Sequence, residues 1–278
     1  MSLLRLPAIL PLAALTGLIA GWLLVQLYNR LPESWLQDYG FLSDAHGWTP
    51  ARRVHSSIGK ALLMGITAAG FLAAVLSLGL TVQTLLVLLA FSLLLLAAVP
   101  DALNKIIPDQ ASAALALVGA MFAANDLFNG RGIRDIAIDR MGGAVVAGGA
   151  LLLVGLLATA LMKREAMGMG DIKLLFACGL LTGLRLVPLL YFTTFVCAAA
   201  VAVPVMLRQR RVHSGRPAAD VHIGIGQSPG DPEDPEGENA APDERQTPLG
   251  PFIAAACFLC LVAGEAVSEL IFPYFYLS

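Results

Sequence analysis

Charged residues are scarce in this sequence: Asp, Glu, Lys and Arg together make up 14% of its 278 residues. Hydrophobic residues make up 57%, and the mean hydropathy is +0.75. A water-soluble domain could not hide that much apolar surface in its core. The shortage of charge therefore excludes an ordinary soluble protein and predicts an integral membrane protein.

Cysteine is also rare, with four residues and none before Cys178. Cys257 and Cys260 form one CxxC pair, and a second pair is missing. On a lipid-embedded helix we interpret these two as small apolar residues, and the other two, Cys178 and Cys197, also lie inside predicted spans. This excludes a disulfide framework and a tetracysteine zinc site. His46 and His55 alone are too few ligands for zinc, so we predict no metal site.

Long apolar runs are abundant, and a helix of about 20 apolar residues crosses the hydrocarbon layer. The fold class that they predict is all-α, a polytopic membrane protein with about eight transmembrane helices. The predicted spans are residues 7–28, 59–79, 81–100, 110–125, 141–162, 171–184, 186–207 and 249–272. The first run, from Leu6 to Tyr28, exceeds the roughly 7 to 15 apolar residues of a signal peptide, so we interpret it as a membrane anchor.

The positions of the basic residues predict the orientation. Of the 18 Lys and Arg residues, 13 fall in or beside the odd-numbered loops. Since cytoplasmic loops are enriched in Lys and Arg, both termini are expected outside and the odd loops in the cytoplasm. The first of these loops, residues 29–57, is short. The last, residues 208–248, combines Pro, Gly and acidic residues and is predicted to be a disordered tether.

Three aspartates stand at predicted span ends on the cytoplasmic side. The third loop reads VPDALNKIIPD and holds Asp101 and Asp109, and the fifth loop ends in MGMGD, with Asp171 last. The topology allows Asp101 and Asp171 to meet. Taken singly, each could also be a helix cap or an interfacial charge, and Asp109 after a proline suits an N-cap.

A pair of carboxylates in a partly dehydrated site cannot both ionise easily, so one keeps a proton while the other is charged. The charged member can take a proton from a water that attacks a peptide carbonyl, and the protonated member can polarise that carbonyl. This is aspartyl protease chemistry, and it needs no metal or organic cofactor.

Neighbouring residues fit the same chemistry. Gly168 and Gly170 lack a Cβ and allow close approach of another backbone. The helix N-terminus near Asp171 favours its ionised form, and Lys173 adds positive charge. Pro108 fixes the turn between two spans.

Two segments resemble the motifs of type IV prepilin peptidases. EAMGMGDIKLLFACGLLTG is similar to their GxGD signature, and PDALNKIIPD to their first aspartate motif. GWLLVQLYNRLP at 21–32 and TPLGPFIAAACF at 247–258 resemble the first and last spans of the family. The resemblance implies one peptidase domain over residues 1–278. It also implies that Asp101 and Asp171 are the catalytic pair, with Gly168, Gly170, Lys173, Pro108 and Asp109 supporting them.

The function that the resemblance implies is removal of a short basic leader from type IV prepilins or pseudopilins of pilus or type II secretion systems. The cut falls after a glycine at the cytoplasmic face of the bacterial inner membrane. The expected partners are these substrates and the lipid bilayer, with no nucleic acid.

One departure concerns zinc and methylation. Many relatives carry two zinc-binding CxxC pairs in the loop after the first span, associated with N-methylation of the new amino terminus. This chain has no cysteine between Met1 and Ala177. We therefore expect a form without that zinc domain, and S-adenosylmethionine as a cofactor only if methyl transfer is retained.

Three other functions are compatible with an aspartate pair. A proton-coupled transporter could use Asp101 and Asp171 as a relay, which predicts that both lie at the membrane midplane. A non-catalytic component of a pilus or secretion assembly would tolerate the loss of either residue. A presenilin-like protease would cut inside the lipid-buried helix of its substrate.

Overall fold

The computed structural model describes residues 6–36, 51–162, 168–213 and 248–271. All regular structure within these ranges is helical, which confirms the all-α fold class. The chain divides into two units. One consists of residues 1–197 and 248–278, and the other of residues 198–247.

Each predicted span coincides with a helix, with ends that differ by a few residues. The helices are α1 (Leu6–Arg30), α2 (Ser57–Leu78), α3 (Val82–Asn104), α4 (Asp109–Phe128), α5 (Ile133–Ile136), α6 (Gly142–Met162), α7 (Met169–Thr182), α8 (Val187–His213) and α9 (Gly250–Ile271). A π-helical turn, Ala137–Met141, joins α5 to α6. Short 3₁₀ turns occupy Glu33–Trp35 and Leu184–Leu186.

Six helical segments of the described chain are long and apolar enough to cross a membrane. They are α1, α2, α3, α4, the continuous α5–α6 segment and α8. Helix α7 has only 14 residues, which is about 21 Å of helix against a hydrocarbon layer of about 30 Å. The predicted sixth span is therefore a helix that is short for a full crossing, whereas α9, at the predicted eighth span, has 22 residues.

Helix α8 continues to His213, so residues 208–213, the first part of the predicted disordered loop, are helical. Residues 214–247, on which the rest of the disorder prediction falls, lie outside the described residues, as do residues 37–50 of the first loop.

Helix α7 lies at the centre of the larger unit, between α4, α6 and α9. Its buried residues include Leu174, Leu175 and Leu181, and they join the main apolar core. Cys178 of α7 and Cys257 of α9 are buried free thiols in the same core. The interpretation of Cys257 as a small apolar residue is confirmed.

Glycine allows α6 and α7 to pack with their backbones in contact. A Cβ added to Gly143 would lie 2.5 Å from the carbonyl oxygen of Gly179, and one added to Gly179 would lie 2.3 Å from that of Gly143. Such distances are far below van der Waals contact. The two helices can approach this closely only because neither residue has a side chain.

Residues 51–54, the end of α3 with the turn after it, and the starts of α7 and α9 gather at one end of the larger unit. Three contacts between them fix this end, which we call the aspartate end. They join Arg52 to Asn104, Ile107 to Gly170, and Asp101 to Gly250. Helices α4 and α7 consequently run parallel, because Gly119 further along α4 packs on Leu180 further along α7.

The opposite end is held by a charged network around the π-helical turn. Arg140 pairs with Asp126 at 2.8 Å and donates to the Leu181 carbonyl oxygen near the end of α7. Asp139 accepts a hydrogen bond from the Leu184 N–H at 3.0 Å. The C-terminus of α7 is thereby fixed, which helps to hold its N-terminus at the aspartate end.

The glycine contact predicts a difference between two substitutions in α6. In Gly143→Ala the new methyl group would meet the α7 backbone, so the helices must separate, and we expect a loss of about 1–3 kcal/mol in the free energy of unfolding. Gly149, also in α6, has open space around the same position. Gly149→Ala should therefore show no loss. Unfolding of both variants in mixed micelles tests this, and equal stability would contradict the packing account.

Candidate active site

Asp101 is a buried carboxylate in the last turn of α3, with 5% of its surface exposed. Helix α3 is followed by its C-cap residue, Lys105, which has a left-handed backbone (φ 58°) and donates its N–H to the Asp101 carbonyl oxygen at 2.9 Å. The Asp101 side chain accepts a 2.7 Å hydrogen bond at Oδ2 from the Gly250 N–H. Because the first N–H groups of a helix have no partner inside it, Asp101 serves as a cap for α9 from another part of the chain.

The position of Gly250 depends on the absence of a side chain. A Cβ there would lie 2.6 Å from Asp101 Oδ2. Glycine therefore lets the start of α9 come close enough to hydrogen-bond to the carboxylate.

Asp171 lies in the first turn of α7, and its backbone N–H bonds the Gly168 carbonyl oxygen at 3.2 Å. Gly168 is the N-cap residue and has an extended backbone. Asp171 Oδ1 is buried and has no hydrogen-bond partner among the described residues. Both aspartates therefore lie at the aspartate end, Asp101 in the last turn of α3 and Asp171 in the first turn of α7.

Gly170 joins the two aspartate motifs. A Cβ on Gly170 would lie 3.1 Å from Cβ of Ile107, a buried residue in the turn between α3 and α4. This is tighter than ordinary contact, so the turn and the start of α7 fit closely without a side chain at this position. The spacing between Asp101 and Asp171 is therefore set by direct contact between their own segments.

Lys173, which was predicted to add positive charge near Asp171, forms an ion pair with Asp109. Its Nζ lies 2.8 and 2.7 Å from the two carboxylate oxygens of Asp109, so its charge is paired with that residue. Asp109 is the first residue of α4 rather than its N-cap, which is Pro108. The expectation that Asp109 caps α4 is wrong, because its side chain reaches across to α7. The ion pair is a second link between the segments that hold the two aspartates.

A polar network at the aspartate end went unrecognised in the sequence. The Tyr28 hydroxyl donates to the Arg52 carbonyl oxygen at 2.6 Å and accepts from Asn104 at 3.0 Å. The Arg53 guanidinium donates to the Asn29 and Leu31 carbonyl oxygens at 2.6 and 3.0 Å. Residues 51–54 thereby connect the ends of α1 and α3, one turn away from Asp101.

The described residues hold no group of three or more His, Cys, Asp or Glu side chains that could bind a metal ion. His55 is exposed, and His46 lies outside the described part of the chain. The chemistry that the site itself offers is proton transfer between two carboxyls, one bonded to a helix N–H and the other with an unpaired buried oxygen.

Comparison with known proteins identifies the segment that carries these features. Residues 88–203 match the family model described as type IV leader peptidase family. The predicted resemblance to this peptidase family is confirmed over that segment, which holds Asp101, Asp171 and the turn between α3 and α4. No match was found among curated proteins or among solved structures.

Asp101 has a structural role that two substitutions can separate from its chemistry. Asp101→Ala leaves the Gly250 N–H buried without an acceptor, and we expect a loss of about 1–3 kcal/mol in the free energy of unfolding. Asp101→Asn keeps an oxygen acceptor and removes a buried charge, so its stability should equal or exceed that of the unmodified protein. Unfolding in mixed micelles compares the two, and an alanine variant as stable as the asparagine variant would contradict the capping role.

Proposed function

Because residues 88–203 match the type IV leader peptidase family, we propose that this protein is an aspartyl endopeptidase that removes the basic leader of prepilins or pseudopilins. The observation that supports this most directly is that Asp101 and Asp171 stand in segments that pack together at the aspartate end, with Asp171 Oδ1 buried and unpaired among the described residues. A site of two interacting carboxyls with a free acceptor is suited to binding the attacking water.

In the proposed reaction the ionised carboxylate takes a proton from a water as the water oxygen bonds to the carbonyl carbon of the scissile peptide. The protonated carboxyl gives its proton to the carbonyl oxygen, which yields a tetrahedral diol. The C–N bond then breaks as the nitrogen takes a proton from one carboxyl, a diol hydroxyl returns its proton to the other, and the leader leaves with a free carboxyl group. Protons are conserved over the cycle, and no cofactor is consumed.

The position of the dyad supports cleavage at a membrane face. Asp101 lies in the last turn of α3, and Asp171 lies in the first turn of α7. A substrate whose helix stays in the lipid can bring its leader to such a position. A proton-coupled transporter would place its relay at the midplane, which these helix-end positions do not favour.

The basic residues support a cytoplasmic location for the aspartate end. Arg52, Arg53, Lys105 and Lys173 all lie in segments that meet there. Positive residues mark the cytoplasmic side of a bacterial inner membrane protein. A short basic leader on a pilin precursor is made on that same side.

Methyl transfer is a separate activity within this proposal. The chain lacks the cysteine pairs that accompany it in many relatives. S-adenosylmethionine is therefore included in the cleavage test described next. An added methyl mass on the cleaved product would show that methyl transfer does not require the cysteine pairs.

The first test is cleavage by the purified full chain. Incubated in detergent with a prepilin and S-adenosylmethionine, the protein should release the leader, with products weighed by mass spectrometry. Asp101→Asn and Asp171→Asn should each lower the rate by about 10²–10⁴-fold or more, because each removes a group that transfers protons.

Asp109→Asn is the matched control for that test. It makes the same substitution eight residues after Asp101 but breaks only an exposed ion pair. Such pairs contribute about 0–1 kcal/mol, so the rate should fall less than about fivefold. Full cleavage by the Asp101 or Asp171 variant would contradict the dyad, and equal loss in all three would indicate a general structural effect. A wild type that cleaves no prepilin would favour the transporter or the assembly component.

Sidedness can be tested by labelling introduced cysteines in intact cells. Ser56→Cys lies just before α2 at the aspartate end, and Asn129→Cys follows α4 at the opposite end; both positions are exposed. A thiol reagent that does not cross the inner membrane should label Asn129→Cys in cells and Ser56→Cys only after lysis. The parent protein provides the background, and the reverse pattern would contradict the cytoplasmic location.

A further inference from the structure

Ser112 carries a hydroxyl that is buried without a partner. It lies on α4 with 6% of its surface exposed, and its Oγ makes no hydrogen bond to any described residue. Ser112 Oγ and Asp171 Oδ1 are the two buried side-chain oxygens with this property in the described chain. An unpaired buried polar group costs free energy, so it calls for an explanation.

Other Ser and Thr hydroxyls on helices of this protein make hydrogen bonds within their own helix. Five of them donate to the carbonyl oxygen four residues earlier, at 2.6–2.9 Å; they belong to Thr16, Thr67, Ser92, Thr182 and Thr194. The corresponding acceptor for Ser112 is the Pro108 carbonyl oxygen, which receives the N–H groups of Ala111 and Ser112. The Ser112 hydroxyl makes no bond to it and so differs from those five.

The position of Ser112 relates it to the dyad. Helical side chains lean toward the N-terminus, so this hydroxyl lies over the first turn of α4. That turn is level with the start of α7, since Ile107 packs on Gly170 and Asp109 pairs with Lys173. Asp171 lies between those two contacts in the sequence of α7.

We propose that Ser112 Oγ and Asp171 Oδ1 together hold the water that attacks the scissile peptide bond. A buried water makes two to four hydrogen bonds and is stable where polar groups would otherwise stay unpaired. Ser112 is then a positioning residue: it orients the water, and the dyad moves the protons. This role rests on the proposed peptidase function.

The test compares Ser112→Ala with Ser92→Ala, in cleavage of a prepilin by the purified full chain. Ser92 is a matched control, because its hydroxyl is bonded to the Leu88 carbonyl oxygen of its own helix. Ser112→Ala should lower kcat about tenfold or more and change KM less than about twofold, since the water is oriented less well while the substrate still binds. Ser112→Thr, which keeps the hydroxyl, should restore most of kcat.

Stability separates this role from a structural one. Because Ser112 Oγ bonds no other described residue, its removal should leave the unfolding midpoint of Ser112→Ala within about 1 °C of that of the unmodified protein, although kcat is lower. A kcat equal to that of Ser92→Ala would overturn the role of Ser112 and leave the peptidase intact, as would a fall in stability that accompanies the fall in kcat. Absence of cleavage by the wild type would overturn the peptidase function itself, and the role of Ser112 with it.

Discussion

The hydrogen bond from the Gly250 N–H to Asp101 Oδ2 is the constraint on which the aspartate end depends. It is 2.7 Å long, and it is possible because Gly250 has no side chain in the path of the carboxylate. Asp101 is thereby fixed between the end of α3 and the start of α9. Since α9 also packs on α7, the same contact contributes to the placement of Asp171.

Close contacts at glycine residues recur where two helices, or a helix and a turn, must lie a short distance apart. Gly170 fits against Ile107 to join the two aspartate segments, and Gly143 and Gly179 let α6 and α7 touch along their backbones. Backbone contacts of this kind cannot shift by rotamer changes, unlike contacts between long side chains. Helix α7 is consequently held on several sides, by α4, α6 and α9.

Hydropathy predicted the helices well because each long apolar run has one stable arrangement in lipid, namely a helix. That Asp101 and Asp171 stand at the same end of the helices followed from counting spans. Features that depend on tertiary contact were not predictable in this way. The capping of α9 by Asp101 joins residues 149 positions apart, and Lys173, whose charge the sequence placed near Asp171, is paired with Asp109. The sequence does not indicate that the Ser112 hydroxyl is unpaired, because other Ser and Thr hydroxyls on helices of this protein bond within their own helix.

The bond between Asp101 and Gly250 also has a consequence for the order in which the protein is made. A ribosome synthesises Asp101 long before Gly250, so during much of translation the carboxylate has no N–H to bind and α3 lacks its neighbour α9. The aspartate end is complete only when the last described helix enters the membrane. Until that helix is in place, the segment that holds Asp101 lacks the N–H group that positions its carboxylate.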